Sequence, residues 1–521
     1  MASALAAALT LAIAVPAMAS SVVGWSGFQG DPAHSGYTTD GPAPPYRQAW
    51  AAPEPLGGAS DEFGLSQPVV VGDTVIAVGT DAVVGVDLAS GKQAWPSVAR
   101  DPGPAVPPAA IAVGNTVALA YTEGFGPHPP GSRASASASA SSSASASSSA
   151  SASPTASASA PASGAAASAG SVDSHLAAID VATQEPLWKP VELDAVSYSG
   201  VTAADGVAYA ATEKGSVYAI DLASGKIEWT VDAGQAVDTP LMVTDGMVIA
   251  VTRATNDEPS SVVALATSDG SEAWRWKSET PVYRLSAASA DDAHVYVGLS
   301  DQNGTLRALD LKTGALAWTA RMNAALNLVS APATTGDAVY ALDFRGQLYR
   351  FDAATGERVW DFALNELALR SGPVVVGDHV VFGTTEGRLA AIDASSGDLV
   401  WQAEPASGQL RSIAVTPDRL VAVRGGTSAG LVAFDTDPQS ALVRVTSPTV
   451  LDAGTFVGAF AIGALLFCAV VILGGRWLIG RAGPALATEG ADGVGEPQPD
   501  EDDDGDDLAD ADERDDDGDD A

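Results

Sequence analysis

The sequence predicts an all-β protein: an eight-bladed β-propeller of four-stranded blades closed by an N-terminal strand, followed by one C-terminal transmembrane helix and a disordered acidic tail. Three observations lead there. Eight tryptophans, Trp50, Trp95, Trp188, Trp229, Trp274, Trp318, Trp360 and Trp401, recur 41 to 45 residues apart, except for one gap of 93 that holds a long Ala/Ser run. A fixed period of this size marks one supersecondary unit copied along the chain, each copy burying its apolar face against its neighbours. Seven of the tryptophans end a phrase that opens eight residues earlier, at Asp87, Asp180, Asp221, Asp310, Asp352 and Asp393, with Ala266 once in place of the Asp. Each unit also offers four short apolar runs and leaves no room for a helix.

The phrase reads as a β-hairpin. Runs such as SVYAID (216–221) and TLRALD (305–310) are apolar and β-branched enough for a strand. Four residues after the Asp position stands a glycine, at Gly91, Gly225, Gly270, Gly314, Gly356 and Gly397, with Gln184 as the departure. Glycine takes positive φ without steric cost, so the chain turns there and returns as the strand that carries the Trp. Two residues before the Asp position the side chain is small, at Gly85, Ala178, Ala219, Ala264, Ala308, Ala391 and Ala433, with Arg350 as the exception. Small positions at constant phase predict a bulky group packed over them, most simply the indole of a neighbouring unit. The repeated indoles are therefore the candidate docking residues, and Trp25, which lies outside the period, is expected to matter less.

The front half of each unit supplies two more strands, as in 374–376, 379–384, 388–393 and 398–402. Four antiparallel strands in one period make a propeller blade. Seven units are complete. An eighth, 411–435, lacks its last strand, and YRQAW (46–50) is placed to supply it. That pairing closes the ring and removes an open edge.

The A-x-D-x-x-[ST]-G-x-x-x-W phrase resembles the PQQ-type repeat of quinoprotein-dehydrogenase-like propellers. That superfamily includes pyrroloquinoline-quinone (PQQ) alcohol dehydrogenases and BamB-like assembly lipoproteins. WSGFQGDPAHSGY (25–37) is similar to the lead-in of such proteins, and the resemblance spans about residues 25 to 445. It speaks for fold more than for activity. The resemblance implies that an enzyme of this type uses a disulfide between adjacent cysteines against PQQ, with Ca²⁺ held by Glu and Asn near a catalytic Asp. This chain has one cysteine, Cys468, inside an apolar span, and no such Glu/Asn/Asp set at matching positions of the repeats. Neither PQQ nor Ca²⁺ is expected, and no catalytic residue is assigned. His34, His128, His175, His294 and His379 stand singly, without the spacing of zinc ligands. His34, in DPAHSG, is expected to stabilise its own turn.

Two polar patterns remain. Ser66, Ser199, Thr239, Ser286, Ser330, Ser371 and Ser412 recur where the innermost strand begins. They either ring one mouth of the tunnel for a ligand or satisfy backbone groups at the strand start, and the second reading is favoured. Arg284, Arg370 and Arg411 precede that position in three units, as anion ligands or, by preference, as solvated loop residues.

The ends predict location. Residues 1–19 read as a signal peptide closing in Ala17-Met18-Ala19, although the start carries no Lys or Arg. Residues 20–45 form a lead-in, 46–445 the propeller and 446–452 a linker. Ala453 to Gly475 is uncharged and long enough to cross a bilayer, with Arg476 and Arg481 directly after it. A type I, single-pass cell-membrane protein is expected, with the propeller extracytoplasmic and 476–521 cytoplasmic. Gly454-x-x-x-Gly458 and Ala459-x-x-x-Gly463 offer a weak dimerisation pattern.

Of the net charge of −38, residues 489–521 carry −17, from 18 acids and Arg514, leaving −21 elsewhere. Nucleic acid is therefore excluded as a partner. Residues 500–511 echo a calcium loop but place Ala511 where its bidentate Glu belongs, so they read as a solvated tail. Residues 134–171 contain only Ala, Ser, Pro, Thr and Gly, a low-complexity insertion in blade 2 whose composition cannot build a core. The sequence therefore predicts a membrane-tethered propeller that binds an extracytoplasmic protein as a scaffold. Ligand sensing is the alternative, and a divergent quinoprotein the reading from another class.

Overall fold

Eight sheets follow one another along the chain in a computed structural model that describes residues 25–53, 65–79, 82–95, 98–99, 110–122, 174–279, 284–301, 304–323, 330–368, 371–403, 408–426 and 430–437. These lie in one unit, Met1–Ser447. In each blade we label the strands A to D from the axis outward. Blade 3 shows the pattern: Val201–Ala204, Val207–Ala211, Ser216–Asp221 and Ile227–Asp232, each antiparallel to the last. First strands of successive blades lie against one another, which puts strand A innermost.

Alternation along strand C explains how the blades stack. Val217 and Ala219 pack into the core shared with blade 4, while Tyr218 and Ile220 face the core shared with blade 2. A strand buried on both faces reads as a near-continuous apolar run, which is why SVYAID carries so little polarity. Asp221 then ends the strand in a turn. Its side chain accepts the backbone N–H of Ser224 at 2.8 Å, and Gly225 takes φ +69°.

The ring closes through its two ends. Strand Tyr46–Pro53 pairs antiparallel with Gly430–Thr436, Trp50 facing Ala433, and forms strand D of blade 8 beside Leu420–Arg424 and Leu410–Val415. One strand falls outside the four-per-blade pattern. Tyr37–Thr38 runs parallel to Val374–Val376 and makes blade 7 five-stranded on its inner edge. The lead-in is thus part of the propeller rather than a leader to it.

The expected signal peptide (1–19), insertion (134–171), linker (446–452), transmembrane span (453–475) and acidic tail (476–521) lie outside the described residues. Among the described residues no helix is long and apolar enough to cross a membrane.

Candidate functional site

The repeated phrase builds an identical seam between most blades. The indole N–H of Trp50, Trp188, Trp229, Trp274, Trp318 and Trp360 donates to the carbonyl of Leu88, Leu222, Thr267, Leu311, Ala353 and Ala394 in the following blade, at 2.8 to 3.2 Å. Each acceptor directly follows the residue that opens the phrase. The turn glycine of that following blade lies under the same ring: a Cβ on Gly314 would stand 2.5 Å from Trp274, and one on Gly356 2.5 Å from Trp318. Gln184, which replaces the glycine, adopts φ +61° and so keeps the turn. Where Ala266 replaces the Asp, Asp269 accepts the backbone N–H of Ser271 at 3.0 Å instead. Trp95 lies in the core between blades 1 and 2 with Ile179 and Val181. Trp401 meets Tyr46 of the closing strand edge-on, with centroids 5.2 Å apart.

The small residues do a different job from the one predicted. Ala219, Ala264, Ala308, Ala391 and Ala433 face Trp229, Trp274, Trp318, Trp401 and Trp50 across the hairpin of their own blade. A Cβ on Gly85 would lie 2.6 Å from Trp95. The indole covering each small position is therefore the blade's own, and the neighbour meets it through the turn glycine and a carbonyl.

The axis holds the lead-in. Carbonyls of Trp25, Ser26, Pro32, Ala33, Ser35 and Gly36 accept N–H bonds from Val70, Ala112, Val243, Ala290, Thr334 and Val375, which belong to the strands A of blades 1, 2, 4, 5, 6 and 7. The distances are 2.6 to 3.0 Å. Gln29, at φ +54° and 3 % exposed, donates its side-chain amide to Ala331 and its backbone N–H to Gln67, whose own amide reaches Ile413 in blade 8. His34 is buried, and its Nδ1–H donates to the carbonyl of Ala288 in blade 5 at 2.9 Å. This corrects the expectation of a merely local role, although its backbone N–H also closes a turn on Asp31. Burial holds the imidazole well below its ordinary 6.5, at about 4, against the opposing pull of the Ala288 carbonyl and Asp31. Trp25 is 1 % exposed, so it belongs to the core in spite of lying outside the period. Behind this segment a cavity of about 20 Å³ remains, lined by Gln29, Gln67, Gly372 and Ser412. Beside it, at the face that carries the A–B and C–D turns, opens a cleft of about 430 Å³ lined by Asp31, Tyr37, Asp291, Asp292 and His294.

At the opposite face, where the B–C and D–A loops lie, the hydroxyls serve the backbone. Ser66, Ser199, Ser286 and Ser371 accept the N–H of Val78, Ala211, Gly298 and Gly383 on strand B, at 2.9 to 3.1 Å. Thr239 keeps a buried hydroxyl without a partner. Arg284 pairs with Asp238 at 2.6 Å, and Arg411 donates to Gln409. Arg370 lies outside the described residues. Arg253 and Asp238, which no sequence pattern marked, join Arg284 here. Among the described residues no three His, Cys, Asp or Glu side chains converge as metal ligands would.

Known proteins place this architecture. A stretch of 172 residues is 31% identical to the outer membrane protein assembly factor BamB of Yersinia pestis, covering 31% of this chain and 42% of that protein. The same factor from Burkholderia pseudomallei is 26% identical over 208 residues, covering 37% of this chain and 50% of the relative. The chain spans about half the length of the curated relatives it matches. Among solved structures, a quinohemoprotein alcohol dehydrogenase from Pseudomonas putida HK5 superposes with a TM-score of 0.54 at 11% identity, covering 79% of this chain and 80% of the other. The computationally designed Ika8 protein does so with a TM-score of 0.53 at 12% identity, covering 75% of this chain and 99% of the design. These two similarities establish the fold alone. A family profile described as outer membrane protein assembly factor BamB matches residues 57–191, 172–349 and 260–449. Carried by that match across most of its length, the chain belongs to the BamB family of β-propeller repeat proteins.

Proposed function

We propose that the protein is a membrane-tethered, extracytoplasmic scaffold that binds another protein on its outer surfaces and catalyses no reaction. The observation that carries this reading is the filled axis. Residues 25–38 cross the axis, the space behind them, about 20 Å³, takes a single water rather than a cofactor, and the space that remains beside them is the cleft of about 430 Å³ open to the outer face. Recognition then falls to the exterior, where Leu187, Ile227, Leu316 and Val359 on or beside the outer strands of blades 2, 3, 5 and 6 are 45 to 52% exposed. Relatives that are assembly factors support a protein partner.

A photo-crosslinking residue at Ile227, Leu316 or Val359 of the full-length protein in intact cells tests the reading. One dominant partner, captured from these sites and not from the exposed Val113, is the expected result. Equal capture at every site, or none, defeats it. Adding PQQ with Ca²⁺ to the purified protein separates the enzyme reading, since bound quinone absorbance would establish a cofactor site. The tether is tested by protease on spheroplasts: propeller loops are digested, while an epitope on residues 489–521 survives. Loss of the epitope with an intact propeller reverses the orientation.

A further inference from the structure

We propose that Arg253 and Arg284, drawn together by Asp238, form an oxyanion-binding site between blades 4 and 5 on the face of the B–C and D–A loops. Both guanidinium groups reach the same oxygen of Asp238, Nη1 of Arg253 at 3.2 Å and Nη2 of Arg284 at 2.6 Å. The carboxylate side chain is 9% exposed, while the arginines keep 32% and 33% of theirs open to solvent. One carboxylate balances one guanidinium, so the trio carries a net positive charge within a chain whose net charge is −38. Glu258, in the same B–C loop of blade 4 as Arg253, is held by Lys277 at 2.8 Å.

Blade geometry explains the meeting. Asp238 precedes strand A of blade 4 and Arg253 follows its strand B, Val237 and Thr252 being paired, whereas Arg284 precedes strand A of blade 5. A clamp between two blades is complete with one arginine; the second is surplus to that role. Two buried groups, one on Arg284 and one on the residue after Asp238, lack partners. The Nε–H of Arg284 is buried without an acceptor. Thr239, next to Asp238 and 5% exposed, has a hydroxyl without a partner, although the equivalent Ser66, Ser199, Ser286 and Ser371 hydroxyls each accept a strand B amide. Buried polar groups in folded proteins normally find partners, so the Arg284 Nε–H is a donor without its acceptor, and the Thr239 hydroxyl is free to donate or accept. The planar donor forks of two arginines suit a carboxylate or phosphate group, which would share them with Asp238.

Calorimetric titration of the full-length protein at low ionic strength tests the site, with inorganic phosphate and an acetylated diglutamate amide as probes. Saturable binding is expected, weakened by about tenfold or more in Arg284→Gln and in Arg253→Gln. Asp238→Asn is expected to bind more tightly, because it removes the internal competitor for the same donors. Preference for the diglutamate identifies an acidic protein segment as the source of the oxyanion, and preference for phosphate identifies a free or esterified phosphate. Failure of both probes to saturate the wild type overturns the proposal, as does unchanged binding by Arg284→Gln. Should the arginine variants fail to fold, Asp238→Asn decides: a purely structural trio gains no affinity when it loses its carboxylate.

Discussion

The indole N–H of Trp318 in blade 5 donates to the main-chain carbonyl of Ala353 in blade 6 at 2.9 Å, while Gly356 of blade 6 lies against its ring. One side chain thus fills space, satisfies a carbonyl and fixes the spacing of two blades. Trp318→Ala is expected to cost about 3–5 kcal/mol of stability, as truncation of a buried aromatic does. Gly356→Ala should cost about 1–3 kcal/mol, because a Cβ at φ +71° is strained and would overlap the ring. Trp25→Ala is expected to match Trp318→Ala, since Trp25 is 1% exposed and its ring lies against Gly30. Denaturant melts of the three variants check the order; a loss at Trp25 well below that at Trp318 would detach the lead-in from the core.

Closure rests on strand Tyr46–Pro53 rather than on the Arg47–Asp435 ion pair beside it. Arg47 is 54% exposed, and solvent screens such a pair so that it adds little to stability. Deleting residues 20–52 uncovers the edge of Gly430–Thr436 and empties the axis, so aggregation by size-exclusion chromatography is expected. Arg47→Ala should stay monomeric and melt close to the parent. A deletion variant that remained monomeric and equally stable would rule out closure by this strand.

His34 makes stability fall on mild acidification. Unfolded, its imidazole takes up a proton near pH 6.5; folded, burial postpones this to about 4. The unfolded state holds more protons across that window, so stability present above pH 6.5 is lost as the pH falls towards 4. A shift of this size corresponds to about 3 kcal/mol. His379, also lowered by burial, acts in the same direction. His34→Asn keeps a donor for Ala288 and tolerates φ +55°, and should flatten the melting-temperature profile between pH 6.5 and 4. An unchanged slope would assign the effect to other groups.

Blade 2 should tolerate loss of its insertion. Thr122 and Ser174 are paired across strands B and C, so the strands that flank the insertion are held together without it. Replacing residues 134–171 with a short Gly-containing turn is expected to leave circular dichroism and melting nearly unchanged, because loop-closure entropy varies slowly with length. A collapse of the melting transition would make the segment structural.

Much of this fold was legible because it is written many times. The period of the tryptophans fixes the blades, and the missing last strand after Asp435 points to residues 46–50. The same regularity misled at the small positions. Own-blade and next-blade neighbours share one period, so phase alone cannot separate Trp229 from Trp188 as the ring over Ala219. The axial segment escaped for the opposite reason: it occurs once, and it is held by backbone carbonyls, which side-chain identity does not encode. Its glycines were the available signal. A Cβ would stand 2.4 Å from Ile111 at Gly27, 2.9 Å from Ala333 at Gly36 and 2.4 Å from Val376 at Gly41. Arg284 stood out in the sequence, but its partner Asp238 did not, because that contact joins two blades through loops that break the repeat.

The first residues of the propeller have to wait for its last. Arg47 and Asp435, paired in blade 8, lie 388 positions apart, and Thr436 reaches back to Ala43 across 393. Contacts of such separation cannot form until nearly the whole chain has emerged, and folds dominated by distant pairings assemble slowly. Until then the apolar strand 430–436 lacks its mate and the axis lacks its filling, so an incomplete chain presents an adhesive edge to every other incomplete chain. Refolding from denaturant should therefore lose yield steeply as protein concentration rises, and a chaperone that shields the nascent ends would be needed most in the interval before the ring is sealed.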